Sequence, residues 1–300
     1  SKFLVILNNL AFMFNAPISD KYIFSGPHKL TNSLLRMFKK EKVKYNKEHY
    51  KNSYIISYGV YGIEILENLK KTDFESKKVL IGPLIPKENM NELFKEVTNN
   101  KNIKIVCASE LMKESLISLS NSELGENNFS VIPAPIRVTK KEEMRNFNTK
   151  KALVYFKKRN IKELEIVQKY LDEKDIEYKT FTYGEYNNAD LMNEALESNF
   201  GIILDKSETQ GIAVQELMST NLPLFVIDYQ NNEYIGLDSF EFSSVPYWSN
   251  KCGERIFDIK DFDVKMDLFI KNIQSYSPKE FIEENLSPEQ IRKTFIKEFQ

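Results

Sequence analysis

The stretch FGIILDKSETQGIAVQELMSTNLPLFVID, Phe200 to Asp228, decides how this chain folds. Its two ends, FGIIL and LPLFVI, are apolar runs without alternation, the pattern of strands covered on both faces. Between them lie a polar turn, a stretch of helical length and a second turn closed by Pro223. Strand, turn, helix, turn, strand is the rhythm of a parallel sheet. Glu208 falls in the first turn and Glu216 in the helix, with seven residues between them and Gly211 among those seven. Two carboxylates so placed face a ligand with many hydroxyls. The helix N-terminus between them presents amides and the positive end of a dipole, which suit phosphate.

The same rhythm extends toward the N-terminus. Ala152 to Phe156 reads as a strand. Ile161 to Lys174 reads as a helix with Ile161, Leu164, Ile166, Val167, Tyr170 and Leu171 on one face. Tyr178 to Phe181 is a further strand, followed by Tyr183-Gly184 and a helical stretch from Asn188 to Asn199. Thr139 to Thr149 is charged and aperiodic, the composition of a linker. Before it, Lys21 to Gly26, Tyr54 to Ser57, Val79 to Ile81, Ile103 to Cys107 and Phe129 to Ile132 are short runs ending in small residues or proline. Ser277-Pro278 and Ser287-Pro288 mark two helix starts. The expected fold class is α/β: two Rossmann-like, doubly wound domains facing a cleft, with C-terminal helices. The expected domains are 1–148, 149–262 and a helical segment 263–300 that packs back across the domain interface.

Forty-two Lys and Arg against 43 Asp and Glu give a net charge of −1, which excludes the basic field of a nucleic-acid binder. Two cysteines, Cys107 and Cys252, match no metal or redox spacing and fit free thiols in a reducing compartment, the cytoplasm. Phe3 to Phe14 is too short to span a bilayer and is broken by Asn8 and Asn9. It is expected to be a buried N-terminal element, the alternatives being a targeting segment or an interfacial helix. The chain contains no Walker A sequence, G-x-S-x-G elbow or G-x-G-x-x-G fingerprint, against a P-loop nucleotidase, a serine hydrolase and a hydride-transfer enzyme.

Glu208 to Glu216, with Gly211 and Pro223, resembles the carboxylate motif of retaining GT-B glycosyltransferases of the family-4-like group. The resemblance covers the two-domain layout and most of the C-terminal half. It implies that Glu208 contacts the donor sugar, that Glu216 holds the ribose hydroxyls, and that the turn Thr209, Gln210, Gly211 and Ile212 meets the diphosphate. It also places basic residues after the first strand of the second domain, here Lys157, Lys158 and Arg159. Arg159 and Lys158 are the expected contacts to the leaving diphosphate, with Lys157 a donor-side neighbour. Their adjacency departs from the family pattern, in which the arginine and lysine are a few residues apart. Cations there would stabilise the leaving group without a metal.

Topology adds Tyr183 and Gly184 near the nucleotide, and Gly26, His28 and Gly59 on the acceptor or sugar side. Trp248 is expected to anchor a long loop, and Cys252 has no His or Asp motif that would make it a nucleophile. The expected function is metal-independent transfer of a sugar from a nucleotide-diphosphate sugar to an acceptor hydroxyl, with retention and with no cofactor beyond that co-substrate. The acceptor is a glycan, lipid or protein, and a lipid acceptor would require peripheral membrane contact. A nucleotide-sugar epimerase and a non-catalytic nucleotide-sugar-binding protein are the alternatives.

Overall fold

The computed structural model describes residues 3–7, 29–30, 33–34, 36–37, 44–45, 52–56, 78–83, 90–121, 123–138, 150–229 and 243–298. The expected strand at 21–26 and linker at 139–149 lie outside these residues. The chain divides into two compact units, 1–135 with 291–300, and 136–290.

In the first unit, β1 (Phe3–Leu7), β2 (Lys44–Tyr45), β3 (Asn52–Ile56), β4 (Lys78–Ile81), β5 (Ile103–Cys107) and β6 (Phe129–Val131) form one sheet. It is parallel throughout, in the order β2-β1-β3-β4-β5-β6. Phe3–Leu7 is therefore a sheet strand with neighbours on both sides, Leu4 pairing with Lys44 and with Ser53, and not an interfacial helix. Helices α1 (Met90–Asn99) and α2 (Glu110–Leu119) supply Leu93, Phe94, Val97 and Leu116 to a core with Val79, Ile81, Ile103 and Ile105. Ser109 starts α2 as its N-cap, accepting from the amide of Met112.

In the second unit, β7 (Lys151–Phe156), β8 (Glu177–Thr182), β9 (Phe200–Leu204), β10 (Leu224–Ile227) and β11 (Gly253–Ile256) form a parallel sheet in the order β11-β10-β9-β7-β8. β9 and β10 are buried along their whole length, as their unbroken apolar runs require. Helices α3 (Ile161–Glu173), α4 (Asn188–Glu197) and α5 (Ile212–Ser219) follow β7, β8 and β9 in turn. Asn160 and Glu163 form a capping box at the start of α3. Its inward face is Leu164, Val167, Tyr170 and Leu171, whereas Ile161 and Ile166 are 55 % and 41 % exposed, so the apolar stripe is narrower than its periodicity suggests.

Helix α6 (Phe262–Lys271) belongs to this second core. Phe262 and Phe269 both pack edge-on against Phe225, at ring-centroid distances of 5.4 and 5.6 Å. Helix α7 (Pro278–Asn285) starts with Pro278 in its first turn. Helix α8 (Pro288–Glu298) carries the chain back to the first unit, where Glu298 meets Lys104 at 3.1 Å and Ser130 Oγ at 2.7 Å. The C-terminal helices expected over 263–300 are thus divided between the two units.

Candidate functional site

The first strand of the second sheet, β7, has β8 on one side and β9 on the other, so the order reverses between β7 and β9. Ligands in open α/β sheets bind beyond the carboxyl ends of the strands at such a reversal. Phe156 is level with Leu204, and Leu204 with Ile227. The residues that follow, Lys157, Asp205 and Asp228, therefore stand in a row beyond three adjacent strands. All three are buried.

Lys157 Nζ pairs with Glu208 Oε1 and lies 3.5 Å from Asp205 Oδ2. The Tyr183 ring covers the ammonium at 4.7 Å to its centroid. The Lys157 side chain is 8 % exposed and that of Glu208 20 %. Burial opposes the ammonium charge, but the Glu208 and Asp205 carboxylates outweigh it and hold the Lys157 pKa above its ordinary value. Asp205 is wholly buried. Burial first, and then the Glu208 charge, push its pKa up to about 8 against the opposing pull of Lys157. Oδ1 accepts from the amide of Lys206 at 2.7 Å, while Oδ2 receives no hydrogen bond.

The turn from Glu208 to Ile212 is fixed from two sides. Gly211 caps α5 in the left-handed region, at φ 79°, ψ 45°, a conformation that costs other residues about 1 kcal/mol or more. Gln210 is buried and turned inward: its side chain donates to Gln215 Oε1 at 3.0 Å, and its carbonyl accepts from Gln215 Nε2 at 2.6 Å. Thr209 is exposed. The Glu208 amide donates to the Ser243 carbonyl at 3.0 Å. Ser243 and Ser244 are in turn held by Asp228, which accepts from Ser243 Oγ at 2.7 Å, the Ser244 amide at 2.7 Å and Ser244 Oγ at 2.9 Å.

Glu216 is half-buried on α5. Burial raises the Tyr186 phenol, and the Glu216 charge adds to the rise. Tyr186 packs edge-on against Phe181 and meets the Tyr155 hydroxyl at 3.4 Å. Tyr183 is 52 % exposed, and Gly184 has a positive φ with open space around it.

Arg159 is committed to neighbours within the fold. Its side chain is 5 % exposed and is gripped by Glu163 through Nε at 2.8 Å and Nη2 at 2.5 Å. Its Nη1 donates to the carbonyls of Asp205, Ile227 and Asp228 at 3.2–3.3 Å. Arg159 thus ties together the ends of β9 and β10. Lys158 is exposed, at φ 54°.

The structure brings together Lys157, Glu208, Gly211 and Tyr183 from the sequence expectation. It adds Asp205, Asp228 and Ser244, which sequence reasoning missed. The available signal was position: Asp205 and Asp228 each directly follow a fully apolar strand. Gly26, His28 and Gly59 lie outside the described residues. Trp248 is partly buried and Cys252 fully, and burial raises the Cys252 thiol to about 11, the state of an inert side chain. Among the described residues, no group of three or more His, Cys, Asp or Glu could hold a metal ion, and no helix is long and apolar enough to cross a membrane.

No protein-family profile and no curated protein sequence matches the chain. Solved structures do resemble it. TarM of S. aureus, as a point mutant in complex with fondaparinux, α-GlcNAc-glycerol and UDP, superposes with a TM-score of 0.56 at 14% identity, over 90% of this chain and 59% of TarM. WaaG, a glycosyltransferase involved in lipopolysaccharide biosynthesis, gives 0.50 at 9% identity, over 98% and 99% of the two chains. Sucrose-phosphate synthase of Thermosynechococcus elongatus gives 0.53 at 10% identity, over 100% and 98%. The chain spans less than two thirds of the length of TarM and of GtfA, the latter covered to 56%. At these identities the likeness concerns the fold, which is that of the GT-B glycosyltransferases, with parallel, Rossmann-like α/β units.

Proposed function

We propose that this chain is a glycosyltransferase that moves a sugar from a nucleotide-diphosphate sugar to an acceptor hydroxyl, with retention and without a metal. One observation carries the reading. At the order reversal of the second sheet, a buried lysine and a partly exposed glutamate adjoin a helix N-terminus capped by a left-handed glycine. That combination offers a cation and amides to a diphosphate and a carboxylate to sugar hydroxyls. Glu208 faces the sugar and Glu216 the ribose. Lys157, together with Lys158 and the turn amides of Gln210, Gly211 and Ile212, meets the diphosphate. Arg159 is assigned to holding the strand ends and not to the phosphates.

As the bond to the anomeric carbon breaks, negative charge grows on the leaving diphosphate. A cation already fixed there lowers the barrier without reorganising. The acceptor hydroxyl attacks from the side of the departing phosphate, whose oxygen takes its proton. Positioning supplies the rest of the rate. TarM and the pneumococcal GtfA were each crystallised with UDP, which makes UDP-sugars the first donors to try.

The test is a thermal-shift screen against nucleoside diphosphates and nucleotide sugars, since a ligand of the folded state raises the melting temperature. Hits are followed by product analysis by NMR with and without acceptors. Transfer with retained configuration supports the proposal. Isomerised donor without acceptor indicates an epimerase, and binding without turnover indicates a binding protein. No stabilisation by any nucleotide sinks all three.

A further inference from the structure

The Lys157 ammonium has three donors, and two carboxylates and one ring surround it. Its hydrogen bond goes to Glu208, whereas Asp205 Oδ2, 3.5 Å away and wholly buried, receives none. Leaving a buried acceptor unmet costs stability. The arrangement is therefore that of an ammonium with two seats, one in use and one in reserve.

The two seats differ in mobility. Glu208 is on a turn, partly exposed, with Thr209 open to solvent beside it. Asp205 follows a fully buried strand, its Oδ1 is held by the Lys206 amide, and its carbonyl is held by Arg159. Tyr155 of β7 and Glu208 of the turn are the other ionisable groups facing it. Burial and the Glu208 charge keep the proton on Asp205 up to about pH 8, so Glu208 is the anion with which a diphosphate arriving at Lys157 competes. Of the two seats, Glu208 is the one able to leave.

We propose that Asp205 is a positioning residue: it retains the Lys157 ammonium on Oδ2 when an incoming diphosphate releases Glu208 toward the sugar. The idea rests on the donor-site reading above and goes beyond it. It assigns the exchange of partners, and the residue that makes the exchange possible, to this chain's own geometry. Glu208 then does two jobs in sequence, pairing with the ammonium before the diphosphate arrives and afterwards facing the sugar.

The experiment is isothermal titration of the full chain with UDP, ADP and GDP, and with the matching nucleosides. It uses wild type, Asp205→Asn, Lys157→Met and the double variant. The nucleoside serves as the folding control, since it reports the same pocket without the phosphates. The expected result is that Asp205→Asn weakens diphosphate binding about tenfold, leaves nucleoside binding within twofold, and has no further effect once Lys157 is Met. Full additivity with Lys157→Met, equal losses for nucleoside and diphosphate, or unchanged diphosphate affinity would each overturn the role of Asp205. A wild type that binds none of the three diphosphates sinks the donor-site reading itself, and this inference with it. That outcome is distinct from a binding wild type with an indifferent Asp205.

Discussion

Lys157 Nζ lies 3.5 Å from Asp205 Oδ2, an oxygen with no hydrogen bond of its own. Burial raises the Asp205 pKa to about 8, above its value in an unfolded chain. Between those two values the folded state holds a proton that the unfolded state has released. Asp205 therefore supports stability in full at acidic pH, and the contribution is lost as pH climbs through about 8. Wild type should lose stability relative to Asp205→Asn between about pH 5 and 8, by at most ~1.4 kcal/mol per pH unit, with a constant difference above about pH 9. Urea unfolding of both proteins across that range measures it. A difference that does not change with pH would contradict the raised pKa.

On the proposed donor site Glu208 and a diphosphate compete for one ammonium, so Glu208→Gln should act in two directions. Loss of the competing charge should tighten nucleoside diphosphate binding by roughly fivefold, about 1 kcal/mol. The same variant should lose most turnover, because the carboxylate proposed to face the sugar is gone. Titration and initial rates on one preparation check both. Weaker diphosphate binding would mean that Glu208 helps to hold the phosphates and does not compete with them.

Arg159 and Lys157 are two residues apart and should respond oppositely. Arg159→Ala leaves the carbonyls of Asp205, Ile227 and Asp228, and the Glu163 carboxylate, without their donor. It should cost about 2–3 kcal/mol of stability, with little effect on diphosphate affinity in the protein that remains folded. Lys157→Met should do the reverse. Denaturant midpoints and dissociation constants for the two variants separate the roles.

Asp228 holds the Glu208 turn at second hand, through Ser243 and Ser244. Asp228→Ala should destabilise the second unit by about 3 kcal/mol, since the two buried donors of Ser244 and the half-buried Ser243 hydroxyl lose their acceptor. Ser244→Ala should cost about 1 kcal/mol and leave the fold intact. Activity in Ser244→Ala, measured well below its melting temperature, reports how far the turn depends on this support.

A Cβ at Gly211 would meet the Ser243–Ser244 segment only at ordinary distance, 3.5 Å to Ser244 O. Space is thus available, and the penalty lies in the backbone. Gly211→Ala should cost about 1 kcal/mol from φ alone. A much larger loss of diphosphate affinity than of stability would place the ligand against this glycine.

The parallel sheets were legible because Phe200–Leu204 and Leu224–Ile227 are apolar throughout, short and bounded by turn residues, as strands covered on both faces read. The turn was legible because Gly211 and the two glutamates lie close together in sequence. Asp205 was not, because its meaning comes from being level with Lys157, 48 residues earlier, through the pairing of β7 with β9. The surroundings of Arg159 were not legible for a related reason. Composition shows a basic cluster at Lys157-Lys158-Arg159, but not that one member is enclosed by three carbonyls and a carboxylate. On α3, the 3.6-residue period admitted Ile161 and Ile166 to a stripe whose buried part is Leu164, Val167, Tyr170 and Leu171.

Helix α8 also bears on how the chain can be cut. Ile291 and Phe295 are buried, and Glu298 binds Lys104 and Ser130. The first unit therefore owns a piece of polypeptide that is made after the whole of the second. A fragment stopped at residue 135 would lack the helix its own sheet requires. Cleavage within 139–149 would still leave that helix on the second fragment, able to dock on the first. Independent expression of the first unit calls for a rejoined chain in which 288–300 is grafted behind 135, and protease nicking should yield two pieces that co-purify.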